Sequence, residues 1–112
     1  MELSFEEKNN VIVVNIKGEF HIGNVNKFEE LWHELVEKGF PVIAINCSEL
    51  EYIDSSAIGT LVKFLNNAMS KKIKLLFFDL SSAIQNIFKT ARLDSFFTIT
   101  TRENIEKDYF NK

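Results

Sequence analysis

The sequence predicts an α/β domain, with one mixed sheet of about five strands (an N-terminal hairpin followed by parallel strands) and about four helices. Three observations carry that prediction. Strand-like and helix-like segments alternate along the chain. Two strand segments, residues 42–46 and 73–78, are short and apolar apart from Asn46 and Lys74, the pattern of strands covered on both faces. The length of 112 residues suffices for one hydrophobic core but leaves no room for a second, so residues 1–112 are expected to form one domain.

The elements follow in order. Leu3 and Phe5 alternate with polar residues, and Lys8-Asn9-Asn10 supplies turn chemistry before the β-branched run 11–16. Together they predict an antiparallel hairpin. Gly18-Glu19-Phe20 forms the exit of the second strand. Asn24 or Asn26 is placed to cap a first helix whose apolar stripe is Val25, Phe28, Leu31, Trp32, Leu35 and Val36. That spacing is helical and assigns Trp32 to the core or its edge, with Glu34 and Glu37 outside. Gly39-Phe40-Pro41 closes the helix, because glycine suits a C-terminal cap and proline cannot continue the turn.

The strand 42–46 comes next, then the junction 52–59, then an amphipathic helix with apolar Ile58, Leu61, Val62, Leu65 and Met69. The strand 73–78 follows. Strand, helix, strand in that order implies a right-handed parallel crossover. Lys71-Lys72-x-Lys74 reads as a helix C-terminus and a solvated turn. Ser81-Ser82 can cap a third helix carrying Ile84, Ile87 and Phe88. Residues 96–99 predict the last strand, and residues 101–110 a terminal helix with Ile105 and Tyr109 one turn apart.

Hydrophobic residues make up 46% and charged residues 26%, an ordinary globular balance. A net charge of -3 offers no general attraction to nucleic acid or to an acidic membrane. Cys47, the single cysteine, cannot pair internally; this fits a reducing compartment and a small buried thiol. The N-terminus is acidic and alternating, unlike a secretory leader. No apolar run approaches the ~18 residues that span a bilayer. A cytoplasmic chain with neither a membrane span nor a nucleic-acid partner is the expectation.

Catalytic chemistry is sparse. One cysteine and two separated histidines make no ligand cluster, and there is no phosphate loop, so neither metal nor cofactor is expected. Glu6-Glu7 and Glu29-Glu30 read as solvated faces, and His33 as a surface or boundary residue of the first helix. His21 follows a strand and can share a sheet end with Ser55, which leaves a Ser–His hydrolase geometrically open. The surroundings of Ser55 are not a G-x-S-x-G elbow, however, and no enzyme is expected.

What remains is the junction Tyr52-Ile53-Asp54-Ser55-Ser56-Ala57-Ile58-Gly59. Asp54 or Ser55 can cap the following helix. The choice stays open, because the capping-box position after Ser55 is Ile58 and not Glu or Gln. Gly59 costs about 1 kcal/mol against alanine inside a helix. A first turn of Ala57, Gly59 and Thr60 therefore looks built for close approach, either to its own sheet or to another protein.

Residues 52–59 resemble the Asp-Ser-Ser-Gly-Leu-Gly signature of STAS domains that act as anti-sigma factor antagonists. Gly18-Glu19-Phe20 resembles the Gly-Glu-Leu that closes the second strand in that family. The segment from Ile87-Phe88-Lys89 to Leu93-Asp94-Ser95-Phe96-Phe97 is similar to its third helix and the turn into the last strand. The resemblance implies a STAS fold and a partner switch. In such a switch the unmodified antagonist binds an anti-sigma factor serine kinase and frees the sigma factor. Phosphorylation ends that binding, and a metal-dependent serine phosphatase restores it.

Carried over by position, the phosphoacceptor is Ser55, and the partner-binding residues are Glu19, Phe20, His21, Asp54, Ser56, Ala57, Ile58 and Thr60. A monomer or weak dimer is implied. Two positions depart from the family pattern: Ala57 stands where glycine is usual and His21 where aspartate is frequent, so partner choice is expected to differ. A second expectation from the same resemblance is a constitutive scaffold subunit of a stress-signalling or lipid-transport assembly, with Ser55 and Ser56 only capping a helix.

Overall fold

The computed structural model describes residues 1–111. Strands β1 (Glu2–Lys8) and β2 (Val11–Phe20) form the expected antiparallel hairpin. Its turn is made by Asn9 and Asn10, with Asn9 at φ 54°, a left-handed conformation that asparagine tolerates better than most residues. From there the chain alternates through α1 (Val25–Val36), β3 (Val42–Ile53), α2 (Ser55–Ser70), β4 (Lys74–Phe78), α3 (Ser82–Thr90) and β5 (Thr98–Thr100). A terminal helix α4 (Arg102–Ile105) continues as a π-helical turn, Glu106–Phe110. The sheet order is β1-β2-β3-β4-β5, parallel from β2 onward.

Both faces of the sheet are covered, which explains the nearly continuous apolar runs. Ile12, Val14, Ile16, Ile43, Ile45 and Phe77 join the main core beneath α1, α2 and α3. Val11, Val13, Val42, Ala44, Leu76 and Phe78 form a smaller one around Ile105, with Tyr109 and Phe110 packed against it. Aromatic rings hold α1 to α2. Phe28 lies 5.0 Å from Phe64, and the Trp32 indole stacks on Phe64 at 4.6 Å and donates to Asn67 Oδ1 at 2.9 Å.

Four expectations need correcting. First, β3 does not stop at Asn46 but runs on to Ile53. Its charged second half is held as strand by the exit of β2, through the pairs Lys17↔Glu49, Gly18↔Leu50, Glu19↔Tyr52 and Phe20↔Ile53. Register shifts between Asn15 and Lys17 and at Gly18 break the two-residue period there, so Cys47, Leu50 and Ile53 turn inward every third residue. A bulge hides a strand from a search for strict alternation.

Second, the buried stripe of α2 is Ala57, Thr60, Leu61, Phe64 and Ala68, one position off the expected set. Ile58, Val62 and Leu65 sit at its edge, and Met69 is exposed. Two alanines on the buried face let the helix lie close to the sheet. Third, Asn24 precedes α1 but makes no side-chain cap bond; its amide turns back to the preceding loop. Fourth, β5 is Thr98–Thr100 rather than 96–99, because Phe97 drops into the core against Phe77 at 4.7 Å and Phe88 at 5.5 Å. No helix among the described residues is long and apolar enough to cross a membrane.

Candidate functional site

The junction between β3 and α2 is built around one carboxylate. Ile53 is buried and anchors the end of β3 in the core. Asp54 follows in extended conformation and caps α2, its Oδ1 accepting the Ala57 N–H at 2.8 Å. Its Oδ2 accepts the Ile22 N–H at 3.0 Å, and its own N–H donates to the Phe20 carbonyl at 3.2 Å. Asp54 therefore joins the start of α2 to the turn after β2. The choice that capping propensity leaves open is resolved in favour of Asp54, and Ser55 is the first residue of the helix.

The Ala57 N–H holds the Asp54 carboxyl below its ordinary value near 3.8, helped by the Ile22 N–H, the nearby His21 and the Ser56 N–H, and opposed by partial desolvation. A depressed folded pKa means that Asp54 stabilises the junction fully above the unfolded value of about 3.9. That stabilisation disappears as pH falls through the folded value. In an NMR titration the Ile22 and Ala57 amides should therefore move together with one midpoint below 3.8. Separate midpoints, or a shared one above that value, would contradict the double-acceptor role.

With Asp54 as the cap, the Ser55 hydroxyl is exposed and takes part in no side-chain hydrogen bond among the described residues. Ser56 is half-buried, and its carbonyl accepts the Thr60 hydroxyl at 3.0 Å. Lys63, the first cation along the helix, lies about 12 Å beyond Ser55 by helical rise and pairs with Glu29 at 3.3 Å. Beside Ser55 a shallow groove of about 370 Å³ opens between the two helices, with Tyr52 and Ile58 on one wall and Ile87, Thr90 and Ala91 on the other. Asp54 is the one charged residue lining it.

The expected partner-binding residues divide. Glu19 and His21 are exposed, and Asp54, Ser56 and Ile58 are partly exposed. Phe20 and Ala57 are wholly buried and Thr60 almost so, so their side chains cannot reach a partner and instead support the surface from below. Phe20 packs on Phe28 at 5.3 Å; an apolar residue at a strand exit is drawn inward by the sheet it closes. Gly59 is exposed, and a Cβ there would meet nothing within 4 Å. It therefore leaves bare backbone on the outer face of α2, while Ala57 is the small residue of that turn buried in the core.

His21 and Ser55 do share one end of the sheet. The His21 Nδ1, however, accepts the Gly23 N–H at 3.0 Å, and no hydrogen bond joins its ring to Ser55 among the described residues. Cys47 is buried, and burial raises its thiol to about 12, the wrong direction for a nucleophile. No group of three His, Cys, Asp or Glu among the described residues is arranged to hold a metal ion. Exposed Ile22, at 70%, lies outside both the expected junction and the expected contact residues, and Tyr52, at 47%, lies in the junction without having been assigned a contact role. The signal for Ile22 was an aliphatic residue inside the turn sequence His21-Ile22-Gly23-Asn24, where polar residues are the rule.

A mixed five-stranded sheet whose carboxyl end displays a capped helix and a free serine, beside a mostly apolar groove, defines a small α/β domain with a surface suited to protein contact. A family model for the STAS domain matches residues 2–107, and the chain belongs to that family. Solved structures agree on the fold. An anti-sigma factor antagonist from Mycobacterium paratuberculosis superposes with a TM-score of 0.84 at 16% identity, over 99% of this chain and 94% of that one. The Bacillus cell fate determinant SpoIIAA, in its phosphorylated form, gives 0.71 at 17% identity, over 95% and 97%. RsbS from Moorella thermoacetica, with a serine replaced by glutamate, gives 0.79 at 18% identity, over 99% and 96%.

Proposed function

We propose that this chain is a phosphorylation-controlled binding module. Unmodified, it binds an anti-sigma factor serine kinase and releases the sigma factor that the kinase holds. The kinase transfers the γ-phosphoryl group of ATP to the Ser55 hydroxyl, ADP leaves, and the modified domain dissociates. A metal-dependent serine phosphatase hydrolyses the ester and restores the binding form.

The observation that carries this reading is the free Ser55 hydroxyl. Capping at this junction belongs to Asp54, so Ser55 is not needed to terminate the helix and stands exposed where a kinase can reach it. The helix dipole favours an added anion at this end. The likeness to SpoIIAA, solved in a phosphorylated form, lends support.

The test is direct. Incubated with an anti-sigma serine kinase and ATP, the protein should gain one phosphate, mapped to Ser55, and Ser55→Ala should gain none. The same variant should keep its binding to the kinase, since the hydroxyl is not a cap. Undiminished phosphorylation of Ser55→Ala would overturn the assignment.

A further inference from the structure

Ile22 has the highest exposure of any large apolar side chain among the described residues, 70%, yet the turn that carries it has no slack. The four successive N–H groups from His21 to Asn24 all donate. The His21 N–H goes to Asn24 Oδ1 at 2.9 Å, that of Ile22 to Asp54 Oδ2 at 3.0 Å, that of Gly23 to His21 Nδ1 at 3.0 Å and that of Asn24 to the His21 carbonyl at 2.9 Å. The Asn24 amide also returns to the Glu19 carbonyl at 2.9 Å. Re-aiming the Cα–Cβ bond of Ile22 toward the core would break several of these bonds, so the turn directs an aliphatic group into water at an unfavourable exposure.

A pre-organised turn loses little freedom on association, so what it presents is well suited to be the energetic centre of a contact. The bond from Ile22 to Asp54 ties that turn to the residue preceding Ser55. Exposed Tyr52 and half-buried Ile58 extend the apolar surface on the same junction.

We propose that Ile22 is the anchor of the docking surface, a branched aliphatic side chain held in fixed geometry for an apolar pocket on the serine kinase, next to the hydroxyl that is phosphorylated. This rests on the phosphorylation-switch reading. An anchor contributes to binding and not to the transfer step, so its loss should raise the KM for Ser55 phosphorylation and leave kcat alone.

The experiment measures, for the kinase that phosphorylates Ser55, the Kd by calorimetry and the steady-state kinetics. Ile22→Ala should weaken binding and raise KM about 30-fold, the size of an interface hot spot, with kcat unchanged. Ile22→Val, which removes one methylene, should lose only about fourfold. Met69→Ala removes an equally bare side chain, 66% exposed and about 20 Å along α2 from Ser55, and should leave both constants unaltered. An unchanged Kd for Ile22→Ala, with the wild type bound and phosphorylated, overturns the anchor alone. An equal loss from Met69→Ala overturns it as well. A wild type that neither binds nor accepts phosphate overturns both this proposal and the switch beneath it.

Discussion

Phosphorylated at Ser55, the domain is expected to keep the dispersed amide spectrum of its unmodified form while its affinity for the kinase falls by about 100-fold or more. Two features of the junction set these outcomes apart. The added charge of about −1.5 to −2 sits at the N-terminus of α2, where the dipole favours an anion, and the Ser55 hydroxyl is bonded to nothing whose loss would loosen the fold. Among the described residues that line the groove, the same charge meets no lysine or arginine: Lys63 is paired with Glu29, and the walls are Tyr52, Ile58 and Ile87, with Asp54 as the charged member.

Docking would therefore require desolvating an unpaired phosphate against apolar walls. Ser55→Asp carries one charge on a shorter side chain and should lose about tenfold, a partial mimic. A collapsed spectrum on phosphorylation would replace an electrostatic switch by unfolding, and an affinity within threefold of the unmodified form would leave no switch at all.

The largest loss of stability is expected from Trp32→Ala, about 3–5 kcal/mol. The indole is 1% exposed, lies nearly parallel to Phe64 with 8° between the planes, and donates its N–H to the side-chain Oδ1 of Asn67. Removing it opens a cavity between α1 and α2 and leaves Asn67 without its donor. Against a typical net stability of about 5–15 kcal/mol, that is a large fraction. Urea denaturation should show a lower midpoint at constant slope. Trp32→Phe keeps a ring against Phe64 and should cost about 1–2 kcal/mol, chiefly for the lost hydrogen bond. A change below about 1 kcal/mol for Trp32→Ala would mean that the helices are held by other contacts.

Where local pattern and tertiary structure agree, the elements were legible: the hairpin, the stripe of α1 through Phe28, Trp32 and Leu35, the Gly39 stop at φ 76° and the Ser81 cap, which accepts the Ile84 N–H. The misreadings share a cause. The second half of β3 is a strand because β2 lies beside it, and neither Glu49 nor Glu51 announces that locally. The buried stripe of α2 is set by two alanines whose contribution is smallness, which weighs little in a count of apolar residues. The junction was found through its signature, but which of its residues face outward depends on how β2 ends. Phe20 points in and Ile22 points out because the turn between them is pinned to Asp54, a bond across 32 positions of sequence.

The hairpin turn at Asn9, at the far end of the sheet, has a practical consequence. The Asn9 amide donates to the carbonyls of Tyr109 and Phe110 at 3.1 and 2.7 Å, fixing Phe110 at the hairpin turn, where β2 begins. Ser55 follows the strand paired with the end of β2, about 30 Å away by strand rise. A fluorophore or sensor surface attached at Phe110 thus sits at the pole opposite the serine. A chain immobilised there leaves Ile22, Tyr52 and Ser55 open to a partner in solution, and that is the orientation in which to measure its binding.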